Sequence, residues 1–169
     1  MPLKSLRRLL PRPGLVRRQR GLGFLVGWMG NPRIWALNRK AVAGGLGVGL
    51  FWAMMPMPFQ MIPSATTAVL LRTNLPAALV GVWVSNPITM GPIMYGQYRL
   101  GLMLLGRPVA ESGFTPSVSW FFERFGLIWQ PLLLGALLTG GLLALLGYAS
   151  VSALWRAQAL ARLRRQRNR

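Results

Sequence analysis

The longest stretches without charge limit what this chain can become. No Asp, Glu, Lys or Arg occurs in the 31 residues from 41 to 71, the 26 from 73 to 98, or the 31 from 125 to 155. A helix crosses the ~30 Å hydrocarbon core of a bilayer with about 20 apolar residues, so each run is long enough to do so. The fold class expected is all-α, a polytopic membrane protein with proline-broken or re-entrant helices and one clean C-terminal transmembrane helix.

Charge collects at the two ends. Ten basic residues lie in 1–40 and six in 156–169, while the 115 residues between hold four Arg and two Glu, for a net charge of +18. Three regions follow: a basic, partly amphipathic N-terminal segment (1–30), a membrane domain (31–155) and a basic tail (156–169). Lys and Arg accumulate on cytoplasmic flanks, which predicts both termini inside. Residues 107–124 carry two Arg and two Glu, and Trp120, Phe121, Phe122 and Phe125 suit a headgroup interface, so this segment is expected outside as a loop. Residues 41–106 must then cross an odd number of times. Arg72 prefers the inside, which makes 41–72 the re-entrant part.

Prolines punctuate the apolar runs. Asn31-Pro32, Asn74-Leu75-Pro76, Asn86-Pro87 and Thr115-Pro116 read as helix starts, because Pro tolerates the first turn and Asn or Thr caps its orphan amides. The first helix is expected from Pro32 to about Met55, ending before Pro56 and Pro58. Its apolar part, 41–55, spans about 22 Å and does not cross alone. The chain passes Pro56, Pro58 and Pro63 and resumes over 64–71. Half-helix, break, half-helix recurs as 76–84, the Ser85-Asn86-Pro87 break, and 88–106, with Pro92 a further expected break. The last helix is expected over 131–155, with Ala136, Gly140 and Ala144 as a small-residue stripe for close contact, and Gly45 and Gly49 form a similar pair.

Composition removes most chemistry. Without Cys, His or Asp there is no disulfide, thiolate nucleophile or common metal-ligand set, so no metal and no cofactor are expected. Glu111 and Glu123 are the only carboxylate side chains, which argues against an enzyme.

Candidate polar intramembrane residues are Gln60, Ser85, Asn86 and Thr89. A helix starting at Asn86 within an apolar run aims amides and a positive dipole end inward, as in discontinuous-helix transporters, or else Asn86 simply caps its own helix. If the two breaks meet, Gln60 and Asn86 would face each other, with structural satisfaction of the turn as the alternative. Arg72 and Arg99 could bind lipid phosphates, or anchor and snorkel. The tail arginines 156, 162, 164, 165, 167 and 169, like the basic N-terminus, suit anionic headgroups. Nucleic acid is not an expected partner, since no stacking aromatics are interleaved with the tail charges.

Several segments carry a resemblance: Phe51-Trp52 leading into Pro56-Met57-Pro58-Phe59-Gln60-Met61, Arg72-Thr73-Asn74-Leu75-Pro76, Trp83-Val84-Ser85-Asn86-Pro87-Ile88-Thr89-Met90-Gly91-Pro92, Tyr98-Arg99-Leu100-Gly101 and Ile128-Trp129-Gln130-Pro131 through Gly135. Over about 31–155 the chain resembles the bacterial membrane-protein family called domain of unknown function 2062. The resemblance implies a prokaryotic inner-membrane protein, in other chains sometimes attached to glycosyltransferase domains, with no established activity. Two functional expectations follow. One is a transporter- or flippase-like module for a lipid-linked or small polar substrate; the other is a non-catalytic scaffold assisting an envelope lipid or glycan-modifying enzyme. So thin a bundle is expected to form a homo-oligomer or join a membrane-enzyme partner.

Overall fold

Asparagine side chains open three of the helices. The computed structural model describes residues 32–108 and 118–167, with side chains left out for 33, 118–127, 162, 163, 165 and 167. Among the described residues there are a 3-10 turn at Pro32–Trp35 and five α-helices, with no strand: α1 (Arg39–Ala53), α2 (Met61–Leu70), α3 (Leu75–Val82), α4 (Pro87–Leu104) and α5 (Val118–Arg167). Asn38 Oδ1 accepts from Ala41 N at 2.9 Å, Asn74 Oδ1 from Ala77 N at 2.8 Å, and Asn86 Oδ1 from Ile88 N and Thr89 N. Each satisfies amides that the first helical turn leaves unbonded.

The first helix begins later than its sequence suggests. Pro32 opens only a 3-10 turn, and the α-helix waits for the Asn38 cap. Pro56 and Pro58 do separate α1 from α2, but Pro63 does not break anything. It sits in the first turn of α2, where a missing N–H costs nothing. Pro92 also fails to break its helix, since α4 continues through it to Leu104.

The last helix departs most from expectation. It runs unbroken through Pro131, so the C-terminal part of the expected 107–124 loop, from Val118 onward, is helix. Pro131 removes one backbone donor, a loss that packing against a neighbouring helix can absorb. The same helix continues past Trp155 to Arg167. The segment 1–30, Thr115-Pro116 and Glu111 lie outside the described residues.

Glycines let the helices touch backbone to backbone. A Cβ on Gly45 would strike the Asn74 carbonyl, and one on Gly49 the Ala78 carbonyl, so α1 and α3 lie in direct contact. On another side of α1, a Gly47 Cβ would lie 3.1 Å from the Ala144 carbonyl, and a Gly140 Cβ 3.1 Å from Phe51 O. Gly101 of α4 is pressed on the Pro131 carbonyl of α5, and Gly135 of α5 on the Gln97 carbonyl. Small residues serve this purpose where lipid supplies no hydrophobic drive between helices.

These contacts give directions. Gly45 meets Asn74 and Gly49 meets Ala78 and Gly81, so α1 and α3 run parallel. Gly47 meets Ala144 while Gly140 meets Phe51, so α5 runs antiparallel to α1, and the Gly101–Pro131 and Gly135–Gln97 pairs make it antiparallel to α4 as well. Asn74 N donates to Ala41 O at 2.9 Å, and Asn74 Nδ2 to Ala36 O at 3.1 Å. The chain thus leaves at α1, turns at Pro56–Pro58, and returns through α2 to the level from which it started. Trp52 Nε1 closes this hairpin by donating to Thr67 Oγ1 at 3.0 Å. Then α3 descends beside α1, and α4 departs from it at a bend of 77°.

Among the described residues one helix is long and apolar enough to cross a membrane, within Ile128–Ala161, and α3 with α4 passes the same test as a bent pair. Only 22% of the apolar window in α5 is buried inside the protein. Leu137, Leu138, Leu142, Leu145 and Leu146 are exposed along it, forming an extended apolar surface.

Gly101→Val should separate α4 from α5, because the added atoms have only the Pro131 backbone to meet. The expected loss is about 1–3 kcal/mol, read as a lower unfolding midpoint of the purified protein in detergent. Gly96→Ala is the control: nothing lies within 4 Å of the added Cβ, and helix propensity favours Ala by about 0.5–1 kcal/mol.

Candidate functional site

The two breaks meet. Ser85 Oγ, between α3 and α4, donates to Gln60 Oε1 at 2.9 Å, and Gln60 Nε2 donates to Met55 O at 3.1 Å. Gln60 is buried although it sits in a turn between helices. Its partner across the breaks is Ser85 rather than Asn86, whose side-chain oxygen is occupied at the start of α4.

That helix start is closed to ligands by its own residues. Asn86 accepts from Ile88 N and Thr89 N, while Thr89 Oγ1 accepts from Asn86 N at 3.0 Å and donates to Val84 O at 2.8 Å. Met90 N donates to Asn86 O at 2.8 Å, and Pro87 has no N–H to offer. This reciprocal capping box uses the amides that would otherwise attract an anion.

The carbonyl end of α1 is built differently. Helix α1 stops at Ala53; beyond it Met55 O accepts from Met57 N at 2.9 Å and from Gln60 Nε2 five residues on, while Met54 O accepts from Gln97 of α4, 2.9 Å away. The second hydrogen of Gln97 Nε2 goes to Thr139 Oγ1 of α5 at 3.1 Å, and that hydroxyl donates to Gly135 O at 2.7 Å. Gln97 therefore ties α1, α4 and α5 together. It is 2% exposed, and its Oε1 has no partner. A cavity of about 10 Å³ opens beside it, lined also by Met54, Met55, Gln60, Ser85 and Met94. That is room for about one water-sized occupant.

Gln97 and Thr139 escaped the sequence reading. The available signal was the one that flagged Gln60: an uncharged polar side chain inside a long apolar run, where an unpaired polar group is costly. Asn74 was recognised only as a cap, whereas the structure shows it 2% exposed and bonded to Ala36, Ala41 and Ala77.

The two arginines lie apart from this cluster. Arg99 is exposed and donates from Nη1 to Tyr95 Oη at 3.0 Å, with its guanidinium 5.8 Å from that ring's centre. Arg72 ends α2 with a backbone φ of +54°, in the left-handed region. Leu71 N, Arg72 N and Thr73 N bond to Thr67 O, Val69 O and Ala68 O. The corresponding position at the end of α4 is taken by Gly106, at φ +62°. Gly is the usual residue there because it escapes the Cβ clash.

Arg72→Gly should therefore stabilise the fold by about 1 kcal/mol, seen as a raised unfolding midpoint. For the link between the breaks, Ser85→Ala and Gln60→Ala should each destabilise, with a double-mutant coupling of about 1 kcal/mol. Strictly additive effects would mean that the hydrogen bond contributes nothing.

The chain matches, over residues 23–164, the family described as an uncharacterized protein conserved in bacteria, DUF2062. No curated protein and no solved structure matches it. With most of its length covered by that match, the chain belongs to the DUF2062 family of bacterial proteins.

Proposed function

We propose that this is a multi-pass protein of the bacterial inner membrane in which a re-entrant hairpin (α1–α2) and a broken span (α3–α4) converge on a polar centre. That centre handles a lipid-linked or small polar substrate, as a transporter- or flippase-like module does. The observation that carries the reading is the hydrogen bond from Ser85 to Gln60, which joins two backbone breaks inside otherwise apolar surroundings. Irregular backbone at membrane depth is tolerated where it is buried in protein or lines a cavity.

Depth follows from α5 used as a ruler. Thr139, which touches the cluster, lies eight residues after Pro131 and sixteen before Trp155, or about 12 Å and 24 Å along the helix. An upright α5 thus carries the cluster well inside the hydrocarbon. Arg39, Lys40 and Arg72 fall at the end of the bundle where Asn74 meets Ala41, and Arg156 follows the apolar part of α5 on that side. Placing that end in the cytoplasm satisfies the positive-inside rule and puts both termini there. Lengths agree with this placement: α1 and α2 rise about 22 Å and 15 Å, too short to cross, whereas α3 and α4, about 12 Å and 27 Å long, reach about 32 Å end to end at their 77° bend.

The scaffold reading draws on a different feature. Beyond Trp155, α5 continues as helix to Arg167 with Arg156 and Arg164 exposed, a rigid basic extension that anionic headgroups or a membrane-enzyme partner could engage.

Single cysteines in this Cys-free chain separate the two. In membrane vesicles, Ser85→Cys should react with a small cationic methanethiosulfonate and resist a bulky maleimide, while Phe59→Cys at the exposed hairpin turn serves as a comparison. A position 85 sealed to both reagents would sink the transporter reading and leave the scaffold.

A further inference from the structure

We infer that the end of the bundle carrying Arg39, Lys40, Arg72 and Arg156 holds the phosphate of an anionic membrane phospholipid, whose tails lie against the leucines beside them. The inference goes beyond the polar centre and rests only on the membrane placement proposed above.

Helix contacts bring these four residues to one end. Gly140 lies against Phe51 and Gly47 against Ala144, so four residues of α1 match four of α5. Two turns further along that register Arg39 is level with Ser152, and Arg156 stands about 6 Å beyond it. Arg72 joins them through its neighbours. A Cβ on Gly44 would lie 2.8 Å from Thr73 Cγ2, and Asn74 N donates to Ala41 O at 2.9 Å.

Charge accounting sends the counter-ion outside the chain. Glu111 and Glu123 are the only acidic residues, so none occurs in 1–110 or in 124–169. Glu123 precedes Arg156 by 33 residues on α5, about 50 Å along the helix. Arg39 and Lys40 also fill the first turn of α1, the positive end of its dipole, and no acidic residue there offsets them. Lys40, Arg72 and Arg156 are exposed, so an anion reaches them without displacing packed side chains. Guanidinium forks and an ammonium together suit the oxygens of one phosphate.

Apolar neighbours select a lipid over a free anion. Leu70 and Leu71 directly precede Arg72, Leu37 lies two residues before Arg39, and each is more than half exposed. Trp155, exposed beside Arg156, is a ring of the kind that sits at headgroup level. A phospholipid covers this surface and pairs the cations in one contact, whereas a soluble phosphate answers only the charge.

The test uses the full chain in nanodiscs of phosphatidylcholine with a rising fraction of phosphatidylglycerol at constant ionic strength. A saturable rise of the unfolding midpoint is expected. Arg72→Gly, which should raise the midpoint in phosphatidylcholine alone, should lift the half-saturating phosphatidylglycerol fraction about fivefold. A residue with a purely structural role would not combine that gain with that loss. Lys40→Gln should weaken the response to the same extent, and Arg107→Gln, beyond the far end of α4, should leave it unchanged. Midpoints indifferent to phosphatidylglycerol would overturn the proposal. Equal weakening by Arg107→Gln would overturn it too, by reducing the effect to diffuse attraction of a basic protein. So would an equal rise with glycerol 1-phosphate added to phosphatidylcholine nanodiscs, since that would assign the site to a free phosphate. The cysteine experiment fails independently: a lipid response with position 85 sealed keeps this site and removes the transporter, whereas an accessible position 85 without a lipid response keeps the polar centre and removes the lipid.

Discussion

The thinness of α1 is the constraint on which the rest of the structure depends. Its glycines at 45, 47 and 49 let α3 press on one side and α5 on another, with carbonyl oxygens where side chains would normally stand. In the membrane placement proposed above, apolar surface alone would not hold such a bundle, because lipid tails solvate Leu as well as a neighbouring helix does. Close backbone approach can. It also fixes register, since Gly49 fits opposite Ala78 and Gly81 and a slip of one residue would bring a side chain onto a carbonyl. That register places the Pro56–Pro58 turn level with Ser85 and lets one hydroxyl bridge the two breaks.

How much of this the sequence discloses depends on how local the cause is. The caps at Asn74 and Asn86 and the break at Pro56–Pro58 are decided within a few residues, and reading the sequence finds them. The apolar stripe of Ala136, Gly140 and Ala144 also finds its place, with Ala136 buried and Gly140 and Ala144 against α1. Prolines misled where packing outranked propensity. Pro92 and Pro131 sit inside α4 and α5 respectively, and the glycine contact at Pro131 helps to explain why no break is needed there. Gln97 and Thr139 stayed invisible because their importance comes from partners 42 and 43 residues away. Spacing along one helix does not reveal which turn of another it will meet.

The two breaks solve the same problem by different means. Interrupting a helix strands carbonyls on one side and amides on the other, and in lipid neither can turn to water. At the start of α4 the solution is local: Asn86 and Thr89 close the box within four residues. At the end of α1 it is local for Met55 O, met by Met57 N and Gln60, and remote for Met54 O, which is met by Gln97 of α4. A local cap survives when helices move relative to one another, whereas a remote one does not. Any rearrangement that separates α4 from α1 would therefore uncover the Met54 carbonyl while leaving the α4 amides covered.

The Ser-Asn-Pro segment follows the second of its two sequence readings: the positive dipole end of α4 is spent on its own residues, with Asn86 capping its own helix. A polar centre of this kind has no formal charge: its five polar side chains, Gln60, Ser85, Asn86, Gln97 and Thr139, are all neutral. Burying them costs far less than burying an ion pair, and the bonds from Ser85 to Gln60 and from Gln97 to Met54 and Thr139 tie different helices together. The same groups that satisfy the broken backbone thus offer hydrogen bonding and carry no formal charge.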